Sequence, residues 1–338
     1  MKSIRIATIL VVATASVIAQ TQTYAARLIS TGGFANTIAN GGIGGSLANL
    51  ATLWNVKGRA TNMHPAGFNY SAILGRCGDL SVGYAGTTGL AQEPIVWQAK
   101  VPSQLFVPFA YVGGRAVATD GSQIVGYATE TDTERGVGAT HALVWDVTSG
   151  LATDLGDKST IYGVGGGVQV GTRVGSQGAT AGLWNGTAAS FVDLHVQSND
   201  VSVACDTNGK IQVGYVGLDV RVRHEGRPRD IRFYSAGYWT GTAESFTYLP
   251  SAYRHSFALA IKGETIVGYG NTTDAIGTPQ FSHAVAWLGE DHEYVDLHAL
   301  LPADMRTSRA SGIDEFGNIV GYGITTAGVF RSYVWLRQ

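Results

Sequence analysis

Cysteine is nearly missing from this chain of 338 residues, which has two, and charge is sparse, with Asp, Glu, Lys and Arg making up 14% of the sequence. Two cysteines allow at most one internal disulfide, so the fold must rest on an apolar core and not on a cysteine framework. A net charge of -2 gives no general electrostatic reason to bind phosphate backbones, which excludes nucleic acid as an expected partner. Helical periodicity is scarce, and beyond the N-terminus no stretch is long and apolar enough to span a membrane. Phosphate-binding glycine loops, nucleophile elbows and HExxH patterns are all absent, so the common nucleotide and hydrolase signatures are missing. What the chain has in abundance is 46 Gly, 15 Tyr and 7 Trp, a composition that suits many short strands joined by tight turns.

Residues 1 to 25 read as a signal peptide. Lys2 and Arg5 form a short positive segment, Ile6 to Ala19 is almost uncharged and apolar, and small residues around Thr23 to Ala25 suit a signal peptidase. The expectation is a single soluble domain over residues 26 to 338, exported to the periplasm or the medium and acting as a monomer.

Internal periodicity dominates that domain. All seven tryptophans close one motif, in LATLW (Trp54), EPIVW (Trp97), HALVW (Trp145), TAGLW (Trp184), SAGYW (Trp239), HAVAW (Trp287) and RSYVW (Trp335). Before each lies a short run through a glycine: IGGS at Gly45, then VGY or VGT at Gly83, Gly126, Gly171, Gly214, Gly268 and Gly321. The last copy reads as strand (308 to 313), turn (314 to 317), strand (319 to 322) and strand (330 to 335). Other copies add a fourth strand after the Trp, as in ATDL before Gly156 and YVDL before His298. After Trp335 no such strand remains, whereas Ala26 to Ser30 (ARLIS) has no Trp before it. Pairing that orphan with the last copy closes a ring and removes exposed sheet edges. Repeats of about 45 residues with four strands each fit propeller blades. The predicted fold is therefore an all-β, seven-bladed β-propeller whose last blade is completed by the N-terminal strand.

The copies HALVW and ATDLG at 141 to 156 and GIDEFGNIVGYG at 312 to 323 resemble the bacterial extracellular HAF-repeat proteins along the whole of residues 26 to 338. The resemblance implies export and a propeller-like array without implying a reaction.

Connections between second and third strands are short except at 129 to 140, 217 to 231 and 271 to 280, and they share a face with the joins between blades. Long loops on a rigid scaffold are where binding sites concentrate. The segment at 217 to 231 gathers Arg221, Arg223, His224, Arg227 and Arg229, whose planar donors match carboxylate, sulfate or phosphate oxygens; Arg254 adds another cation. The competing reading is a solvated hairpin in which these groups pair with Asp219, Glu225 and Asp230. Tyr70, Arg115, His255 and Arg309 open innermost strands, and their types could serve an elimination from a uronic-acid polymer: a cation for the carboxylate, a base for the proton and an acid for the leaving oxygen.

His64, His195 and His298 recur after the fourth strands of separate blades, too far apart to share one zinc ion, and are assigned to strand-end or loop bonding. Asp206 to Gly209 (DTNG) lacks the later Glu of a calcium loop and reads as a hairpin turn. Cys77 and Cys205 fall on opposite sides of the ring and are expected to be free, buried thiols. The sequence calls for no metal and no cofactor. It points to a secreted binding module that presents its long-loop face to an anionic glycan or a cell-envelope protein. The alternative is a polysaccharide lyase or glycoside hydrolase with its site at the channel mouth.

Overall fold

A computed structural model describes residues 23 to 338 apart from 90, 133, 176–177 and 225–226; most of the signal-peptide segment and Glu225 lie outside the described residues. The strands assemble into seven antiparallel sheets of four strands each, arranged as a β-propeller. Six blades use consecutive strands. In the seventh, Met305–Ile313, Ile319–Thr325 and Phe330–Arg337 are joined by Tyr24–Thr31, which pairs with the last of them as the outer strand. The ring therefore closes between the two ends of the chain. The pairing begins at Tyr24, two residues before the expected strand, and Tyr24 is buried among Tyr333, Trp335 and Leu297. No helix among the described residues is long and apolar enough to cross a membrane.

The first strand of every blade is innermost, and each packs against the first strands of its two neighbours. Every one of these strands carries a β-bulge at the same repeat position, for example between Ile73 and Gly75 and between Ala258 and Ala260. The bulge aims a backbone carbonyl at the glycine of the adjacent VG motif. A Cβ at Gly83, Gly214, Gly268 or Gly321 would sit 1.9 Å from the oxygen of Ala72, Val203, Phe257 or Arg309 respectively. No side chain fits there, which is why the repeat requires glycine.

The seven tryptophans are the largest fully buried side chains, none more than 2% exposed, and they fill the space between sheets. Several also tie a blade to the one before it. Trp97 Nε1 donates to Met63 O (2.7 Å), Trp287 Nε1 to Pro250 O (2.6 Å) and Trp335 Nε1 to Leu297 O (2.9 Å). Burying an indole with its N–H bonded keeps the apolar gain without a desolvation penalty.

A second tie was not anticipated from the sequence. Three residues before the Trp, the backbone N–H donates to a serine on the first strand of the next blade: Ala51 to Ser71 (2.8 Å), Ala181 to Ser202 (2.8 Å), Ala236 to Ser256 (2.9 Å) and Ala284 to Ser308 (2.9 Å). In blade 2 this position is Pro94, which has no N–H, and the facing residue is Gly114, which has no hydroxyl. The recurring histidines complete the tie. His64, His195 and His298 each place Nδ1 within 2.7 to 2.9 Å of the Oγ of Ser71, Ser202 or Ser308. His64 Nε2 also donates to Phe68 O at 2.9 Å, so both ring nitrogens are bonded.

Candidate ligand-binding face

The second-to-third hairpins and the blade joins form one face, as the repeat implies. The segment at 217 to 231 is no loop. Strands Gln212–His224 and Arg227–Trp239 continue the ladder to the pair His224 and Arg227, making a hairpin that projects from blade 5. Alternation of apolar and charged residues along both arms sustains it, with Val220 opposite Ile231 and Asp219 opposite Arg232. The arginines divide accordingly. Arg221 pairs with Asp230 at 3.1 Å, and Arg232 grips Asp219 through two bonds of 2.7 and 2.6 Å. That pair holds the Asp219 carboxyl below its ordinary range and raises the Arg232 guanidinium above its own. Arg227 and Arg229 are exposed on the returning arm with no carboxylate within 4 Å among the described residues. Arg223 and His224 occupy the ladder opposite Pro228 and Arg227.

Beside this hairpin, between blades 4 and 5, lies a cleft of about 870 Å³. Its walls are strongly polar: Asp157 and Lys158 from the join between blades 3 and 4, His195, Gln197, Asn199 and Asp200 from the next join, and the Asp219–Arg232 pair from the hairpin. Arg173 lies over the ring of Phe191 with 5.1 Å to its centroid, and Phe191 in turn packs on Trp184 at 5.0 Å. Phe191 is thus a partly exposed ring fixed by the blade core, with the Arg173 guanidinium over it. Asp200 is held in place by accepting from the Asp219 N–H at 2.6 Å. None of these cleft residues except His195 and Asp219 was singled out from the sequence. They sit in blade joins, where the repeat gives no signal.

The four residues proposed for chemistry fall into three environments, Tyr70 and Arg115 sharing one around Tyr84 while Arg309 and His255 stand apart. Arg115 lies over the Tyr84 ring of the preceding blade at 4.4 Å and donates to Gln92 at 2.5 Å. Tyr70 packs edge-on to the same Tyr84 at 6.2 Å and donates to Gly89 O. Arg309 occupies the equivalent position in blade 7, over Tyr269 at 4.2 Å. His255 is fully buried, stacked on Phe233 at 5.2 Å, and its Nε2 donates to Gly277 O at 2.8 Å. Exposed Arg254 lies next to the same Gly277 turn. Arg115 and Arg309 thus belong to a collar in which a second-strand tyrosine stacks on the next blade's first strand; Tyr322 on Phe34 (5.1 Å) and Tyr215 on Phe257 (4.9 Å) repeat the pattern. Neither the cleft nor the central cavity is lined by any of the four. Among the described residues no three His, Cys, Asp or Glu side chains gather as metal ligands.

No family model matches the chain, and no curated protein resembles it in sequence. Solved structures do match in shape. An oligogalacturonate lyase in complex with manganese aligns with a TM-score of 0.55 at 11% identity, over 94% of this chain and 96% of the other. The tricorn protease aligns at 0.55 and 9% identity over 93% of this chain and 34% of its own. The β-propeller domain of the Trilobed protease from Pyrococcus furiosus, described as having an open velcro topology, aligns at 0.50 and 12% identity over 80% and 82%. At such identities the likeness concerns the fold alone: the chain is a β-propeller.

Proposed function

We propose that this protein is an exported binding propeller of the HAF-repeat kind that takes a glycan in the cleft between blades 4 and 5. The leader would end upstream of Tyr24, because Tyr24 belongs to the closing strand. The observation that carries the reading is the cleft itself, where carboxylates, amides and cations surround a fixed aromatic plane. Sugar hydroxyls need bidentate acceptors and donors at close spacing, which Asp157, Gln197, Asn199 and Lys158 supply, and a sugar's C–H face suits an aromatic ring such as Phe191. Acidic groups on the same polymer would run along the hairpin, where the guanidinium forks of Arg227 and Arg229 are exposed.

An elimination site built from Tyr70, Arg115, His255 and Arg309 draws no support, since His255 is fully buried and none of the four lines the cleft or the central cavity. Binding to a glycan array followed by titration calorimetry tests the proposal. Asn199→Ala with Phe191→Ala should abolish binding, and Arg227→Glu with Arg229→Glu should weaken acidic glycans selectively. Failure of every glycan to bind, or binding indifferent to the cleft changes, would overturn it.

A further inference from the structure

The opposite face of the ring holds a larger space. A cavity of about 1050 Å³ occupies the central channel and opens among the turns between first and second strands. Its wall is made by the β-bulges. The residue left unpaired at each bulge points into the channel, because its neighbours are committed to the ladder and to the adjacent blade. Going round the ring from blade 2 to blade 6 these residues are Leu74, Val117, Tyr162, Cys205 and Leu259, and all five line the cavity. They form one continuous apolar arc, each side chain still partly exposed. The remaining two, Ser311 and Asn36, are polar but already bonded to neighbouring carbonyls, Ser311 Oγ to Ala35 O (2.7 Å) and Asn36 Nδ2 to Ile73 O (2.9 Å). The wall thus presents apolar surface to solvent with no fold requirement for it, since the repeat accepts Asn and Ser at the same position.

The rim carries charge of both signs: Arg76, Asp120 and Glu315 belong to blades 2, 3 and 7, Asp206 lines the cavity in blade 5, and Lys210 and Lys262 stand on the adjacent turns of blades 5 and 6. Asp120 is satisfied by the N–H groups of Ser122 and Gln123, and Glu315 by Asn40 N–H. Lys210 and Lys262, exposed on the adjacent turns of blades 5 and 6, have no carboxylate within 4 Å among the described residues. We infer that the channel binds a single-chain anionic amphiphile, an alkyl carboxylate in its simplest form, with its tail along the Leu74 to Leu259 arc and its head group on Lys210 and Lys262. This site is independent of the glycan cleft and lies on the other face.

Titration calorimetry with dodecanoate, below its micellar range and on the full domain, reads the site directly. Saturable binding is expected, weakening about fourfold for each methylene removed from the tail. Lys210→Glu with Lys262→Glu, two changes at exposed turn tips that leave the core untouched, should cost about tenfold or more. Leu74→Gln with Leu259→Gln should also weaken binding, and dodecyltrimethylammonium should not bind. Absence of saturable dodecanoate binding, equal binding by the lysine variant, or equal affinity for the cationic amphiphile would each overturn the inference.

Discussion

Replacing Gly268 by alanine puts the account of the VG motif to a quantitative test. A Cβ at that position lies 1.9 Å from Phe257 O and 2.9 Å from its carbonyl carbon, where ordinary contact begins at 3.4 Å, so the strands must part by about 1.5 Å. Neither strand is free to move. Phe257 is stacked on Tyr269 at 4.6 Å and against Tyr215 of blade 5 at 4.9 Å, while Gly268 is held on its other side by pairing with Val285. Relief therefore sacrifices about two ladder bonds at ~1 kcal/mol each and imposes an overpacking strain of ~1–3 kcal/mol, or about 3–5 kcal/mol together. At ~2–4 °C per kcal/mol for a domain of this size, the melting temperature should fall by about 6–20 °C. Gly289→Ala supplies the comparison. Gly289 has φ +65° with nothing within 4 Å, so alanine there meets only the left-handed backbone penalty of ~1 kcal/mol. Calorimetric melts of both variants beside the parent decide the matter. A Gly268→Ala protein that melts within about 3 °C of Gly289→Ala would show that the carbonyl does not enforce the glycine.

Two further outcomes follow from the same geometry. Burial pushes the Asp206 carboxyl up to about 6, despite its bonds from Ile261 N–H (3.0 Å) and Thr207 N–H (2.8 Å). A folded-state value above the unfolded one means the native state binds the proton more tightly, so this group's contribution is lost as pH rises from about 4 through 6, by about 2–3 kcal/mol. His298, held down to about 4 by burial, acts in the opposite sense across that window, so the informative quantity is the difference between parent and Asp206→Asn stability in denaturant melts from pH 4 to 7. A constant difference would refute the assignment. Deleting residues 24 to 31 should remove the burial of Tyr24 and Ile29, at ~2–3 kcal/mol each, and uncover the edge of the strand bearing Trp335. Thermal denaturation should become less cooperative and start at lower temperature; an unchanged melt would mean that the ring does not depend on closure.

The sequence by itself determined the number of blades, the strand order and the closure, because each rests on positions that every copy must satisfy. Trp54 through Trp335 mark the inter-blade core, the VG glycines mark where a bulge carbonyl approaches, and an orphan strand at one end matches a missing strand at the other. These are local demands repeated seven times, so periodicity makes them visible. Positions that the repeat leaves free were another matter. The bulge residues from Leu74 to Leu259 are scattered through the sequence, and only the closed ring sets them side by side as one apolar wall. The cleft draws Asp157, Asn199 and Asp219 from three separate connections, and the serine that receives each alanine N–H stands in the next blade. The hairpin arginines were legible as a cluster, but whether they were free or paired depended on strand register, which placed Asp230 opposite Arg221 and Asp219 opposite Arg232 and left Arg227 and Arg229 exposed. Fold was written in what the copies share, whereas the candidate sites arise where they differ, and differences acquire meaning only when tertiary packing brings them together.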